Sequence, residues 1–113
     1  MAYGTALTAL ADPTRRGMFD RLRRRPHTVG ELARSARISQ PAASQHLSVL
    51  RRARLVGAPR REGTRRYYHA TPEGLADLRR WVDSMWDDVL AAYASLETKA
   101  ERRGRQSRTH SEP

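Results

Sequence analysis

The stretch TVGELARSARISQPAASQHLSVL, residues 28–50, decides the fold. It opens on Thr28-Val29-Gly30-Glu31, a capping box in which the Thr28 hydroxyl accepts from the third residue's N–H while Glu31 reaches back. A helix over about 28–36 follows, with Val29, Leu32 and Ala33 on one face. After Arg37-Ile38, Ser39 is a second N-cap, and Pro41 is tolerated in the first turn of the next helix. That helix, about 40–53, has Ala43, Leu47 and Leu50 at i, i+4 and i+7, a spacing that buries one stripe. The opposite face carries Gln40, Pro41, Ser44, Gln45 and Ser48, which are short, polar or uncharged. Two helices across a three-residue turn form a helix-turn-helix, whose second helix can enter a DNA major groove. Gln can pair bidentately with adenine and Ser can donate or accept. An ordinary solvated helix face would carry the same residues, so this face alone leaves both readings open.

Outward from that stretch, Tyr3, Ala6, Leu7 and Leu10 predict a short first helix that stops near Asp12-Pro13. Asp12 caps a second helix with Pro13 at its first position, where a missing N–H costs nothing. It runs to about Arg25, with Met18, Phe19 and Leu22 inward and Arg15, Arg16, Arg21, Arg23, Arg24 and Arg25 left to solvent or a polyanion. On the other side, Leu55–Arg61 and Thr64–Ala70 read as two strands around Glu62-Gly63. Arg60, Arg61, Arg65 and Arg66 flank the turn. Pro59 cannot donate to a ladder, so the first strand has an edge position or a bulge there. Thr71-Pro72-Glu73 opens a final helix to about Leu96. Its positions Leu78, Val82, Met85, Val89, Ala92 and Leu96 form a heptad-like seam, widened by Leu75, Trp81, Trp86, Leu90 and Tyr93. The expected fold is mainly α with a small β-hairpin, ordered α1-α2-α3-α4-β1-β2-α5. Residues 1–98 would form that domain, with dimerisation helices at both ends, and 99–113 a disordered basic tail.

With 113 residues and 38% hydrophobic positions, the chain has enough apolar mass for one small core. Its formal net charge is +10. The positive charge gathers, since residues 51–70 alone carry seven basic groups and one acidic. Residues 71–98 carry two basic and six acidic groups, and 99–113 five and two, so an acidic segment separates a basic body from a basic end. Every basic residue but Lys99 is arginine, which suits bidentate phosphate and guanine contacts. A genome-wide arginine bias accounts equally well for that ratio, but not for the clustering. Four arginines at one hairpin tip repel each other, and a polyanion partner is the natural reason to tolerate them.

Four segments together resemble the ArsR/SmtB-type bacterial transcriptional regulators: Leu10-Ala11-Asp12-Pro13-Thr14-Arg15-Arg16, Thr28–Ala33, Ile38–Leu47, and Arg61–Tyr68. The resemblance spans about residues 5–95 and is closest to a metal-free branch. It implies a winged helix-turn-helix homodimer that represses transcription by binding an inverted repeat in double-stranded DNA at a promoter. It carries the recognition role to Ser39, Gln40, Pro41, Ser44 and Gln45. A wing of Arg60, Arg61, Thr64, Arg65 and Arg66 would lie along the neighbouring backbone or minor groove. The dimer interface would use Tyr3, Leu7, Leu78, Val82, Met85, Trp86 and Val89. The family usually has glycine after the recognition helix. Arg54 stands there instead, which makes the exit from that helix a point to test.

Other chemistries find little support. Without cysteine, thiolate metal sites, disulfides and cysteine nucleophiles are excluded. The final helix has Asp77, Asp83, Asp87 and Asp88 but no histidine, and His27, His46, His69 and His110 show no i, i+4 pairing. All-carboxylate sites bind transition metals poorly, so no metal and no cofactor is expected. Neither a nucleophile elbow, a phosphate loop nor a triad is present, so no enzyme is expected. No apolar run approaches the ~18 residues of a membrane span, and the N-terminus lacks the order of a signal peptide. The expectation is a cytoplasmic, nucleoid-associated bacterial protein without membrane contact. Whether a small molecule or protein acts as inducer is left open. The competing function is a winged helix used for protein–protein or RNA contact, with a foreign helix on the 78–96 seam.

Overall fold

A computed structural model describes residues 2–110, with side chains over 4–105. The elements follow the order α1 (Ala2–Ala11), α2 (Pro13–Leu22), α3 (Val29–Ala36), α4 (Gln40–Arg52), β1 (Arg60–Glu62), β2 (Arg65–Tyr67) and α5 (Glu73–His110). This is the mainly helical winged arrangement that the sequence predicts.

The starts of α2, α3 and α4 have the caps that their sequences supply. Asp12 accepts from the Arg15 amide at 2.9 Å, with Pro13 at the first position of α2. Both bonds of the capping box form: the Glu31 amide donates to Thr28 Oγ1 at 3.2 Å and the Thr28 amide donates to Glu31 Oε1 at 3.0 Å. Ser39 Oγ accepts from the Ala42 amide at 3.2 Å. The helix ends are less conventional. Both α3 and α4 are followed by an arginine in the left-handed region, Arg37 at φ 58° and Arg54 at φ 60°. In each case the next residue folds back across six positions: Ile38 N–H to Ala33 C=O and Leu55 N–H to Leu50 C=O, both at 3.0 Å. That double-bonded ending usually takes glycine, because a Cβ in this region costs about 1–2 kcal/mol. The exit from α4 therefore keeps the backbone path a glycine would give, with Arg54 bearing the strain. Contacts with the start of α5 offset it. The Arg54 carbonyl accepts from Thr71 Oγ1 at 3.0 Å and from the Gly74 amide at 2.8 Å. A Cβ at Gly74 would stand 2.5 Å from the Ala53 carbonyl oxygen, so only glycine permits this approach.

Two arginines expected to face solvent or a polyanion also hold the end of α1: Arg15 is half-buried, and Arg16 stays exposed as expected. Arg15 Nε donates to the Ala9 carbonyl at 2.8 Å and its Nη2 to Thr8, while Arg16 Nη1 donates to Leu10. These carbonyls end α1 and have no partner within their own helix. The sequence pattern misses this because nothing in α2 alone reveals that the last turn of α1 lies beside it.

The core is enclosed by α1 to α4, the base of the hairpin and the first turns of α5. Met18, Leu32, Leu47, Leu50 and Leu55 are fully buried, and Ala6, Ala9, Phe19, Leu22 and Ala43 pack among them. Each large side chain contributes on the order of 1.5–3 kcal/mol by leaving water.

The wing is shorter than the strands read from sequence. Arg60 pairs with Tyr67, Arg61 with Arg66 and Glu62 with Arg65 in an antiparallel ladder. The turn is Gly63-Thr64 rather than Glu62-Gly63, with Gly63 at φ 63° as the first central residue. Val56 pairs again with Ala70 nearer the core. Three residues, 57–59, thus oppose two, 68–69, which is a bulge at the position of Pro59. Opposite the bulge, the Tyr68 backbone turns to His27 instead, with bonds of 2.8 and 3.1 Å. This short third segment interrupts the two long strands that alternation suggests.

The chain divides at Arg79/Arg80 into two compact units, 1–79 and 80–113. The second unit is the continuation of α5. Where the sequence ends that helix near Leu96 and expects a disordered tail, α5 runs on to His110. Glu97, Lys99, Ala100, Glu101, Arg102 and Arg103 are good helix formers, and Glu101 precedes Arg105 by the favourable four residues. Loss of the apolar pattern removes burial, not helix propensity. Residues 111–113 of the expected tail lie outside the described residues.

Candidate nucleic-acid interface

The caps of α3 and α4 fix how the second helix leaves the first, and so which face of α4 reaches solvent. Ser39, Gln40, Pro41, Ser44 and Gln45 are all exposed, on the side opposite buried Ala43, Leu47 and Leu50. His46, between the two faces, is half-buried. In the wing, Arg60, Arg61, Thr64, Arg65 and Arg66 are all exposed.

The fold brings part of this set together. Gln40 shares a cleft of about 520 Å³ with Thr64, Arg65 and Arg66 of the wing. Its remaining wall is the start of α3, from Thr28 to Glu31, together with Arg34. Arg34 belongs with the set although sequence reading passed over it; its place four residues after Gly30 on α3 was the available signal. Arg60 falls elsewhere, in a crevice of about 470 Å³ with Glu62, Tyr67, His69 and the Arg25-Pro26 turn. Strand alternation puts Arg60 on the face of Glu62 and Tyr67 and Arg66 on the other, whereas Arg65, next to the turn, lines the Gln40 cleft although it pairs with Glu62.

Charge in this region is unbalanced in a specific way. Arg61 and Arg66 stand directly opposite one another across the ladder, a like-charged pair that weakens a hairpin. Among the described residues neither they nor Arg65 form an ion pair. Glu31 and Asp12 are committed to helix caps, and Glu62 in the wing is exposed without an ion pair among the described residues. Glu31 is drawn below the ordinary carboxylate range, chiefly by the Thr28 amide it accepts from, and Arg25 lies 3.7 Å away. Asp12 is lowered likewise, first by the Arg15 amide. The cleft therefore presents guanidinium groups, an uncharged carboxamide and hydroxyls, a set that can hold phosphate and read a base edge but has no nucleophile–base pair. No group of three or more His, Asp or Glu that could hold a metal occurs among the described residues.

The residues expected at a dimer interface separate into two kinds. Leu78 packs against the core of the first unit. Val82, Met85, Trp86 and Val89 are exposed along α5, the last two by about two-thirds, and Leu90, Tyr93 and Leu96 continue the stripe. Leu7 on α1 is exposed by 40%. The side chain of Tyr3 lies outside the described residues. Among those residues no helix is long and apolar enough to cross a membrane.

A helix-turn-helix with an arginine-tipped hairpin beside its second helix defines a winged helix-turn-helix protein. Comparison with known proteins narrows this. A family model described as a helix-turn-helix domain matches residues 10–56. The HTH-type transcriptional regulator Rv2034 of Mycobacterium tuberculosis is 53% identical over 91 residues, covering 80% of this chain and 84% of that protein. The transcriptional repressor SdpR of Bacillus subtilis is 35% identical over 66% of this chain and 81% of its own length. Among solved structures, the homodimeric winged helix-turn-helix DNA-binding domain of Mb0332 from Mycobacterium bovis, described as a possible ArsR-family regulator, superposes with a TM-score of 0.60. It is 32% identical and covers 79% of this chain and 82% of that one. The chain belongs to the ArsR/SmtB-type family of winged helix-turn-helix transcriptional regulators.

Proposed function

We propose that this protein is a sequence-specific DNA-binding repressor that acts as a homodimer on an inverted-repeat promoter site. The observation that carries the reading is the cleft in which uncharged Gln40 meets Arg65 and Arg66, on a fold whose recognition-helix face is wholly exposed. Gln40, Ser44 and Gln45 face base edges and supply specificity, whereas wing arginines neutralise phosphates and supply affinity. Ser39 and Pro41 set the entry of α4. The apolar stripe Val82, Met85, Trp86 and Val89 needs a partner, because contiguous exposed apolar surface of this kind marks an interaction site. A second copy of α5 supplies it. The named repressor among the relatives and the homodimeric DNA-binding neighbour support the same reading. Regulation here needs neither a metal nor catalysis, and such a protein would work in the cytoplasm at the nucleoid.

Fluorescence anisotropy against a duplex from the protein's own promoter, beside a scrambled duplex of equal length, tests it. The promoter duplex should bind about 10³-fold or more tightly at moderate salt. Equal affinities would transfer the fold to a protein- or RNA-contact role.

A further inference from the structure

We propose that Gly30 is a positioning residue for sequence readout: by lacking a side chain it lets the Gln40 carboxamide rest against the first turn of α3, and so sets where that group meets a base. The inference rests on the function proposed above. Gly30 lies inside a helix with ordinary backbone, since Gly63 is the one glycine with positive φ among the described residues. Glycine there weakens the helix without serving any turn. Its advantage is room. A Cβ built at Gly30 would stand 3.3 Å from Gln40 Nε2, 3.6 Å from Arg34 Nη1 and 3.9 Å from Thr28 Oγ1. The first distance is tighter than ordinary contact, so any side chain at position 30 displaces the Gln40 amide.

The surroundings seat that amide without using it up. Thr28 Oγ1 and the Glu31 carboxylate are engaged with each other's backbone amides. The Gln40 side chain has no hydrogen-bond partner among the described residues. Its amide donors and carbonyl thus stay available for the paired contacts that adenine requires, while packing against Gly30 limits where they can be. A bidentate contact depends on both distances at once, so a shift of a few tenths of an ångström at Nε2 weakens it selectively. The wing arginines line the same cleft, but none of them is among the three atoms nearest a Cβ built at Gly30.

The test is selection from a random duplex library, followed by sequencing, for wild type, G30A, Q40A and the double variant. Alanine raises helix propensity at position 30, so G30A folds, as circular dichroism would verify. G30A should lose discrimination by about fivefold or more at the same operator positions that Q40A affects. Its affinity for random duplex should equal that of wild type, and adding G30A to Q40A should change nothing further. A G30A preference identical to wild type, an effect that persists in the Q40A background, or a Q40A preference identical to wild type would each overturn the inference alone. A wild type that enriches no motif would overturn the DNA-binding reading and this inference with it.

Discussion

Arg15 and Arg16 donate to the carbonyls that end α1, whereas Arg65 and Arg66 stand exposed at the wing and form no ion pair among the described residues. The same residue type is structural in one place and free for phosphate in the other, and only the three-dimensional neighbours distinguish them. Substitutions should separate the two roles of the proposed DNA face. Gln45→Ala should cost about 1–3 kcal/mol on the operator and little on random duplex. Arg65→Ala should weaken both alike and reduce the slope of log affinity against log salt by about 1 for each contact removed. Anisotropy titrations at several salt concentrations read both effects. An operator-specific loss for Arg65→Ala, or none for Gln45→Ala, would reverse the assigned roles.

The elements owe their limits to caps, and caps titrate. Asp12 and Glu31 both lie below their ordinary values because backbone amides donate to their charged forms. A depressed folded-state value means that the ionised group stabilises the fold, fully so above the unfolded value and progressively less as pH falls below about 4. Wild type should therefore lose more of its urea midpoint than Glu31→Gln between about pH 6 and about pH 3.5, since the glutamine carbonyl accepts without titrating. Equal losses would show that the Glu31 charge contributes nothing to α3. These caps were legible in the sequence, as were the stripes of α2, α3 and α4, because both are local patterns of residue type and spacing. The bulge at Pro59 was legible too, since proline's missing N–H forbids a regular ladder. The Tyr68–His27 pairing was not, because it joins residues 41 apart in sequence with no local signature. The helical run through Glu101 and Arg102 was misread for a different reason: hydrophobic period was the signal used, and an exposed charged helix has none. Of the candidate site, the α4 face and wing tip could be read from the chain, but the cleft joining Gln40 to Arg34 and Arg65 needed the fold.

At the scale of the whole molecule, the exposed stripe on α5 bears the claim of a twofold pair. Met85 is 40% exposed in the single chain, so Met85→Glu leaves the fold of one copy intact while placing a charge where a second helix would pack. Sedimentation should show monomers, and operator affinity should fall steeply because one half-site is lost. A Met85→Glu dimer with wild-type affinity would relocate the interface. The central claim is that two copies of α4 lay residues 40–45 in successive major grooves, and hydroxyl-radical footprinting on the protein's own promoter tests it most directly. Two protected patches related by a dyad, with centres about 34–36 Å apart along one face of the duplex, are the predicted result. A single patch without symmetry, or uniform protection at every concentration that binds, would contradict it.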